Sequence, residues 1–214
     1  RILILALLSL SSIVSANGEN RSMTMPVDLD WQTPDGLYDV RAERRPLAIV
    51  RIAGEERPYI LPTVKATTLK HKSDKPQNTA KQIQVRDNFH HQGLFEFDLS
   101  SLPEGAVVED ASVQLHIGWM ANKSGGRFEV YPMLTDWAPE ATWYHPFPGR
   151  AETWNGLRRG EDFTRQPAAT VQKDSWTRGV FRVDGLGPVF QAWLDGRQPN
   201  NGINLVLRGK LRQV

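Results

Sequence analysis

Trp143, Tyr144, Arg150, Trp154, Arg158 and Arg159 share one stretch of chain, with His145 among them. Those side-chain types suit a sugar. A flat indole packs on the axial C–H face of a pyranose ring, and a guanidinium forms paired hydrogen bonds to a carboxylate such as that of a uronate. Trp143, Tyr144, Arg150, Trp154 and Arg158 are therefore the candidate ligand-binding residues. Each has a plainer role to set beside that one: tryptophan fills cores, and an arginine in a polar loop is simply hydrated. For Trp143 and Trp154 the two roles are evenly matched. Trp193 lies on an apolar helical stripe and reads as core, while Trp119, Trp137 and Trp176, near strand ends, read as core or core edge.

Other constellations carry less. Asp136, Glu161, Asp162 and Asp184 could supply oxygens to a structural calcium, which takes six to eight of them at about 2.3–2.6 Å. Their spacing is not that of an EF-hand, and Asp136 and Asp184 equally suit a turn and a helix N-cap. Calcium is thus a possible ligand, with no metal residue assigned. His90 and His91 with Asp87 suggest a metal cluster, yet adjacent strand residues face opposite ways, so a wet turn is expected. Gln114 and His116 share one strand face. That pair resembles part of the site of jelly-roll alginate lyases, where glutamine stabilises the carboxylate and histidine works with a tyrosine in proton abstraction. The accompanying Arg-rich strand and Tyr-Phe-Lys run are absent, so an ordinary polar strand face is expected. No Ser-His-Asp order, P-loop or glycine fingerprint occurs, and nothing promotes any one pair of carboxylates. No residue is assigned to catalysis.

The elements that must position these residues are short strands. Phe95, Phe97 and Leu99 alternate with Glu96 and Asp98, and Val113, Leu115 and Ile117 alternate with Ser112, Gln114 and His116. Successive strand side chains point to opposite faces, so each run has a buried and a wet side. Ser100, Ser101, Pro103, Glu104 and Gly105 make the turn between them. Further strands are expected at 47–52, 59–61, 64–69, 83–85, 128–131, 180–183 and 203–207. Leu186, Val189, Phe190, Trp193 and Leu194 repeat at helical spacing, with Asp184 as a candidate N-cap and Gly196 placed as a C′ glycine. Residues 136–172 show little periodicity, and a loop of that length in a compact domain is often functional. The fold class expected is all-β: a jelly-roll-like antiparallel β-sandwich with one short helix.

Four motifs in order carry a family resemblance: FEFDLSSLPEGAVVEDASVQLHI from Phe95, DW…ATW from Asp136, ETWNG…GEDF from Glu152, and FRVDGLGPVFQAWLDGRQPNNGINLVLRG from Phe181. Together they resemble the DNRLRE domain, grouped with carbohydrate-binding module family ninety-six. The resemblance runs from about Thr63 onward. It implies a β-jelly-roll module of secreted or cell-surface bacterial proteins, often beside polysaccharide-degrading enzymes, with alginate as the associated ligand. The family pattern continues to one more strand, so truncation at the C-terminus is expected.

The remaining sequence sets the context. Ile2 to Ala16 is apolar, interrupted only by serines, and ends in Val14-Ser15-Ala16, the layout of a secretory signal peptide at 1–16. A spanning helix needs about 20 apolar residues, so no membrane association is expected after cleavage. Residues 17–62 read as a linker or N-terminal extension with a possible strand pair, and 63–214 as the carbohydrate-binding module. There are no cysteines, so export brings no disulfides. The net charge is +2 and the pI is about 9.0, a mixed surface and not a nucleic-acid footprint. The expected function is non-catalytic binding of a polysaccharide, acidic glycans included, by a secreted or cell-surface protein with further domains. A structural or adhesive spacer and a jelly-roll polysaccharide lyase are the alternatives.

Overall fold

The computed structural model describes residues 46–78, 83–86, 89–117, 124–175 and 179–209. The stretch expected to be a signal peptide (1–16), residues 17–45, Asp87, Trp119 and Trp176 lie outside them. Eight strands and one helix follow in order: β1 Leu47–Ile52, β2 Tyr59–Lys70, β3 His91–Phe97, β4 Val108–Ile117, β5 Ser124–Pro132, β6 Ala169–Ser175, β7 Gly179–Val183, α1 Gly187–Leu194 and β8 Ile203–Gly209. All pairings are antiparallel, in the order β6-β5-β8-β3-β2-β1-β4-β7. The protein is an all-β sandwich, as its alternation predicts.

β2 makes the corner. Its first half, through Pro62, pairs with β1, and its second half, from Thr63, pairs with β3. The register shifts between Thr63 and Lys65, and such a bulge lets one strand bend from one sheet into the next. One leaf is therefore β7-β4-β1-β2 and the other β2-β3-β8-β5-β6. Their far edges meet again, where Phe128 of β5 stacks on Phe181 of β7 at 5.0 Å. Between the leaves lie Val50, Leu61, Phe95, Phe97, Val113, Leu115, Val130, Phe181, Ile203 and Leu205, all buried. These are the in-facing positions of the alternating runs.

Several expectations change. The strand pair expected within 17–62 forms, as β1 against the start of β2; Tyr59–Leu61 and Val64–Leu69 are one strand, and β1 sits between β2 and β4, so the pair is part of the sandwich. Ile83 to Val85 is not a strand. Ile83 and Val85 pack against the core edge, and the Gln84 N–H donates to Thr68 Oγ1 at 2.8 Å instead of to a ladder. The unforeseen β6 carries few apolar residues because it is an edge strand. In α1, Leu186, Val189, Phe190 and Trp193 face the core as expected, and Gly196 has the positive φ (+68°) of a C′ glycine. Leu186, not Asp184, occupies the N-cap position, with Pro188 in the first turn; Asp184 instead pairs with Arg182 at 2.6 Å. Gln191 fastens the helix to the sheet, accepting from Val108 N–H at 2.6 Å and donating to Ala106 O at 3.2 Å. Among the described residues no helix is long and apolar enough to cross a membrane.

Candidate functional site

Residues 133–168 fold over the outer face of the second leaf. Leu69 of β2, Leu94 of β3, Val206 of β8 and Tyr131 of β5 point outward there. They form a second apolar cluster with Met133, Trp137, Ala141, Trp143, Trp154 and Phe163. The tryptophans also close polar accounts. Trp137 Nε1 donates to Asn201 O and Trp154 Nε1 to Thr142 O, both at 2.8 Å. Lys65 on the sheet pins the start of the segment, 2.7 Å from Glu96 Oε2 and 3.0 Å from Asp136 Oδ1.

This packing decides what the loop residues can do. Trp143 is 8% exposed and Trp154 4%, so neither indole face is open for a sugar ring to stack on. Both are corrected from ligand platform to core: the outward side of the sheet is itself apolar and must be covered. Tyr144 is half-buried at the edge of that cluster. Arg150 is exposed, its guanidinium 4.5 Å over the Phe147 ring. Arg158 is half-exposed and already paired, with Nη1 2.6 Å from Glu161 and Nε 3.2 Å from Asp162. The bond to Asp162 is the main reason its pKa is raised. The five predicted residues divide between buried indoles, a half-buried Tyr144 and exposed guanidiniums.

The other candidates are placed as follows. Asp136 is held by Lys65, Glu161 and Asp162 by Arg158, and Asp184 by Arg182, so each potential calcium ligand already neutralises a cation. Among the described residues no three of the acids and histidines gather as a metal site. His90 is exposed in a turn, but His91 starts β3 and is 6% exposed. Gln114 and His116 do share the outer face of β4, opposite Arg182 and Val180 of β7; Gln114 is buried and His116 exposed.

A different cluster occupies the end of the second leaf. Arg127, Glu129 and Tyr131 alternate along β5, so all three point outward, and Arg208 of β8 lies directly opposite Arg127. Glu129 Oε1 accepts from Arg127 Nε at 2.7 Å; Oε2 accepts from Tyr131 Oη at 2.6 Å and from Arg208 Nε at 3.0 Å. Arg159 Nη2 donates to Tyr131 Oη at 2.8 Å. Burial would raise the Glu129 pKa, but the bonds from Tyr131 and Arg208, with the charge of Arg208 and the bond from Arg127, hold it below the usual range. The Tyr131 pKa goes up, first through burial and then through its bond to Glu129, so the phenol stays neutral.

Phe89 completes the cluster. Its ring lies 4.1 Å from the Arg208 guanidinium and 5.7 Å from that of Arg159. Its φ is +65°, a left-handed conformation unusual for a bulky residue and costing about 1 kcal/mol or more. Phe163 supports both aromatics from below, 6.2 Å from Phe89 and 5.1 Å from Tyr131.

No family model, curated protein or solved structure matches this chain. The site is therefore defined by its own chemistry. Two guanidiniums bond one carboxylate and a third joins them through the Tyr131 hydroxyl, so the cluster keeps an excess of positive charge. Arg127 is half-exposed and Arg159 exposed. Such a surface attracts anions and offers planar donors to carboxylate or sulfate oxygens. Sequence reasoning passed over it. The alternation of Phe128 and Val130 with Glu129 and Tyr131 marks a strand in the sequence but does not single out its polar side. The partner Arg208 comes from a strand far away in sequence.

Proposed function

We propose that the domain is a non-catalytic binding module for acidic polysaccharides, working on a secreted or cell-surface protein with further domains. The observation that carries this reading is the arginine surface of the second leaf. Arg127 and Arg208 face each other across β5 and β8, with Arg159 beside them and a single carboxylate among all three. Like charges directly opposite on paired strands destabilise a sheet, so their concentration here favours a role in binding an anion. Uronate carboxylates fit the donors, and the ring of Phe89 offers an apolar edge for a pyranose. Affinity electrophoresis tests this. Alginate or polygalacturonate in the gel retards the protein, a neutral glucan does not, and added salt removes the retardation. Equal mobility in all the gels overturns the proposal.

A second reading is a structural or adhesive spacer, and the burial of Trp143 and Trp154 favours it. A spacer needs a firm sandwich with its loop tied down and no open site. The two readings separate in the same gels, since a spacer shows no retardation by any polysaccharide.

A further inference from the structure

We infer that Glu129 is the positioning residue of the arginine surface, its one carboxylate setting three guanidiniums in a fixed fan. This rests on the acidic-glycan reading above and deepens it. Arg127 and Arg208 are opposite one another in the β5–β8 register, where side chains start about 5 Å apart. Left alone, two flexible cations at that distance swing apart into solvent. Glu129 stands two residues from Arg127 on the same face and is 3% exposed. Its oxygens divide the work: Oε1 takes Arg127 Nε, and Oε2 takes Arg208 Nε and the Tyr131 hydroxyl. Tyr131 in turn accepts from Arg159. The carboxylate thus reaches two arginines directly and the third through a phenol.

The choice of atoms matters. Both direct bonds are made by Nε, the nitrogen nearest the side-chain stem, so each grip fixes the plane of the guanidinium. A guanidinium has five N–H donors, so donors remain for a ligand. Surfaces ordered before binding lose less freedom when the ligand arrives. Glu129 therefore gives up positive charge in exchange for order.

Charge counting and positioning predict opposite results for one substitution. Glu129→Gln keeps the shape, removes the negative charge and leaves the surface more positive. If charge alone governs binding, the variant holds polygalacturonate more tightly. Positioning predicts weaker binding, by roughly tenfold, despite the added charge. Nitrogen-detected magnetic resonance of the arginine Nε–H groups gives a second readout. In the wild-type full chain the Nε–H signals of Arg127 and Arg208 exchange slowly, as do those of carboxylate-bound arginines elsewhere such as Arg158 and Arg182, and Glu129→Gln loses the Arg127 and Arg208 signals alone. Tyr131→Phe, a smaller change, breaks the hydroxyl link between Arg159 and the carboxylate while leaving both direct arginine bonds, and weakens binding by a few-fold.

Unchanged Nε–H signals, or equal or tighter binding by Glu129→Gln, overturn the inference. Should Glu129→Gln not fold, Tyr131→Phe decides, and unaltered polygalacturonate binding by that variant counts against it. If the wild type binds no polygalacturonate yet its Nε–H signals depend on Glu129, the acidic-glycan reading falls and the positioning role stands.

Discussion

Trp143 shows how a residue of binding type becomes a residue of core. Its backbone N–H donates to Ser73 O at 3.1 Å, and the His71 ring meets its edge at 4.5 Å. A Cβ added at Gly156 would fall 2.3 Å from Trp143 Cζ2, and Gly156 has φ +77°, so only glycine fits there. Trp143→Ala and Trp154→Ala should each cost about 3–5 kcal/mol, the usual result of emptying an aromatic site. Chemical denaturation measures this, and a loss near zero would mean that the loop is not packed. The residue types were legible in sequence but their burial was not. Leu69, Leu94 and Val206, which receive the indoles, come from three strands scattered along the chain. His91 makes a second prediction at this scale. Burial, then Arg86, Lys70, His90 and His71, lowers its pKa from 6.5 to about 4. The unfolded chain therefore binds the proton first, and stability falls as pH drops from about 6.5 to about 4. Melting curves across that range should show the decline, and His91→Gln should flatten it.

At the scale of elements, alternation proved a good guide wherever a strand has one apolar side. β3, β4 and β8 lie where Phe95, Phe97, Val113, Leu115, Ile203 and Leu205 place them. It misled where the outward side is apolar too, because the second leaf buries both faces. It also could not foresee that β2 runs on through Pro62, since the bend is made by a register shift and not by a turn residue. The turn before β8 tests this level. Gly202 has φ +76°, and a Cβ there would meet Phe95 O at 2.1 Å. Asn200 Nδ2 ties the same turn to Phe97 O at 2.8 Å. Gly202→Ala must push β8 from β3 or distort the turn, with an expected loss of about 2 kcal/mol or more. An unchanged denaturation midpoint would contradict the β3–β8 register.

At the scale of the whole molecule, the two leaves have different outward faces. The second is closed by the 133–168 segment over most of its breadth and ends in the arginine surface. A net charge of only +2 hides that concentration, because the excess is local. Composition could therefore admit an anionic ligand without locating it: the strand register brings Arg127 and Arg208 together, and the 133–168 segment adds Arg159. The direct test is polygalacturonate affinity, by titration calorimetry at low salt, of wild type, Arg127→Ala/Arg208→Ala and Trp154→Phe, with each variant first shown to be folded. Loss of binding in the double arginine variant, with near-wild-type affinity in Trp154→Phe, is the result predicted. Undiminished binding in the arginine variant, or loss confined to Trp154→Phe, would contradict the assignment and return the site to the tryptophan loop.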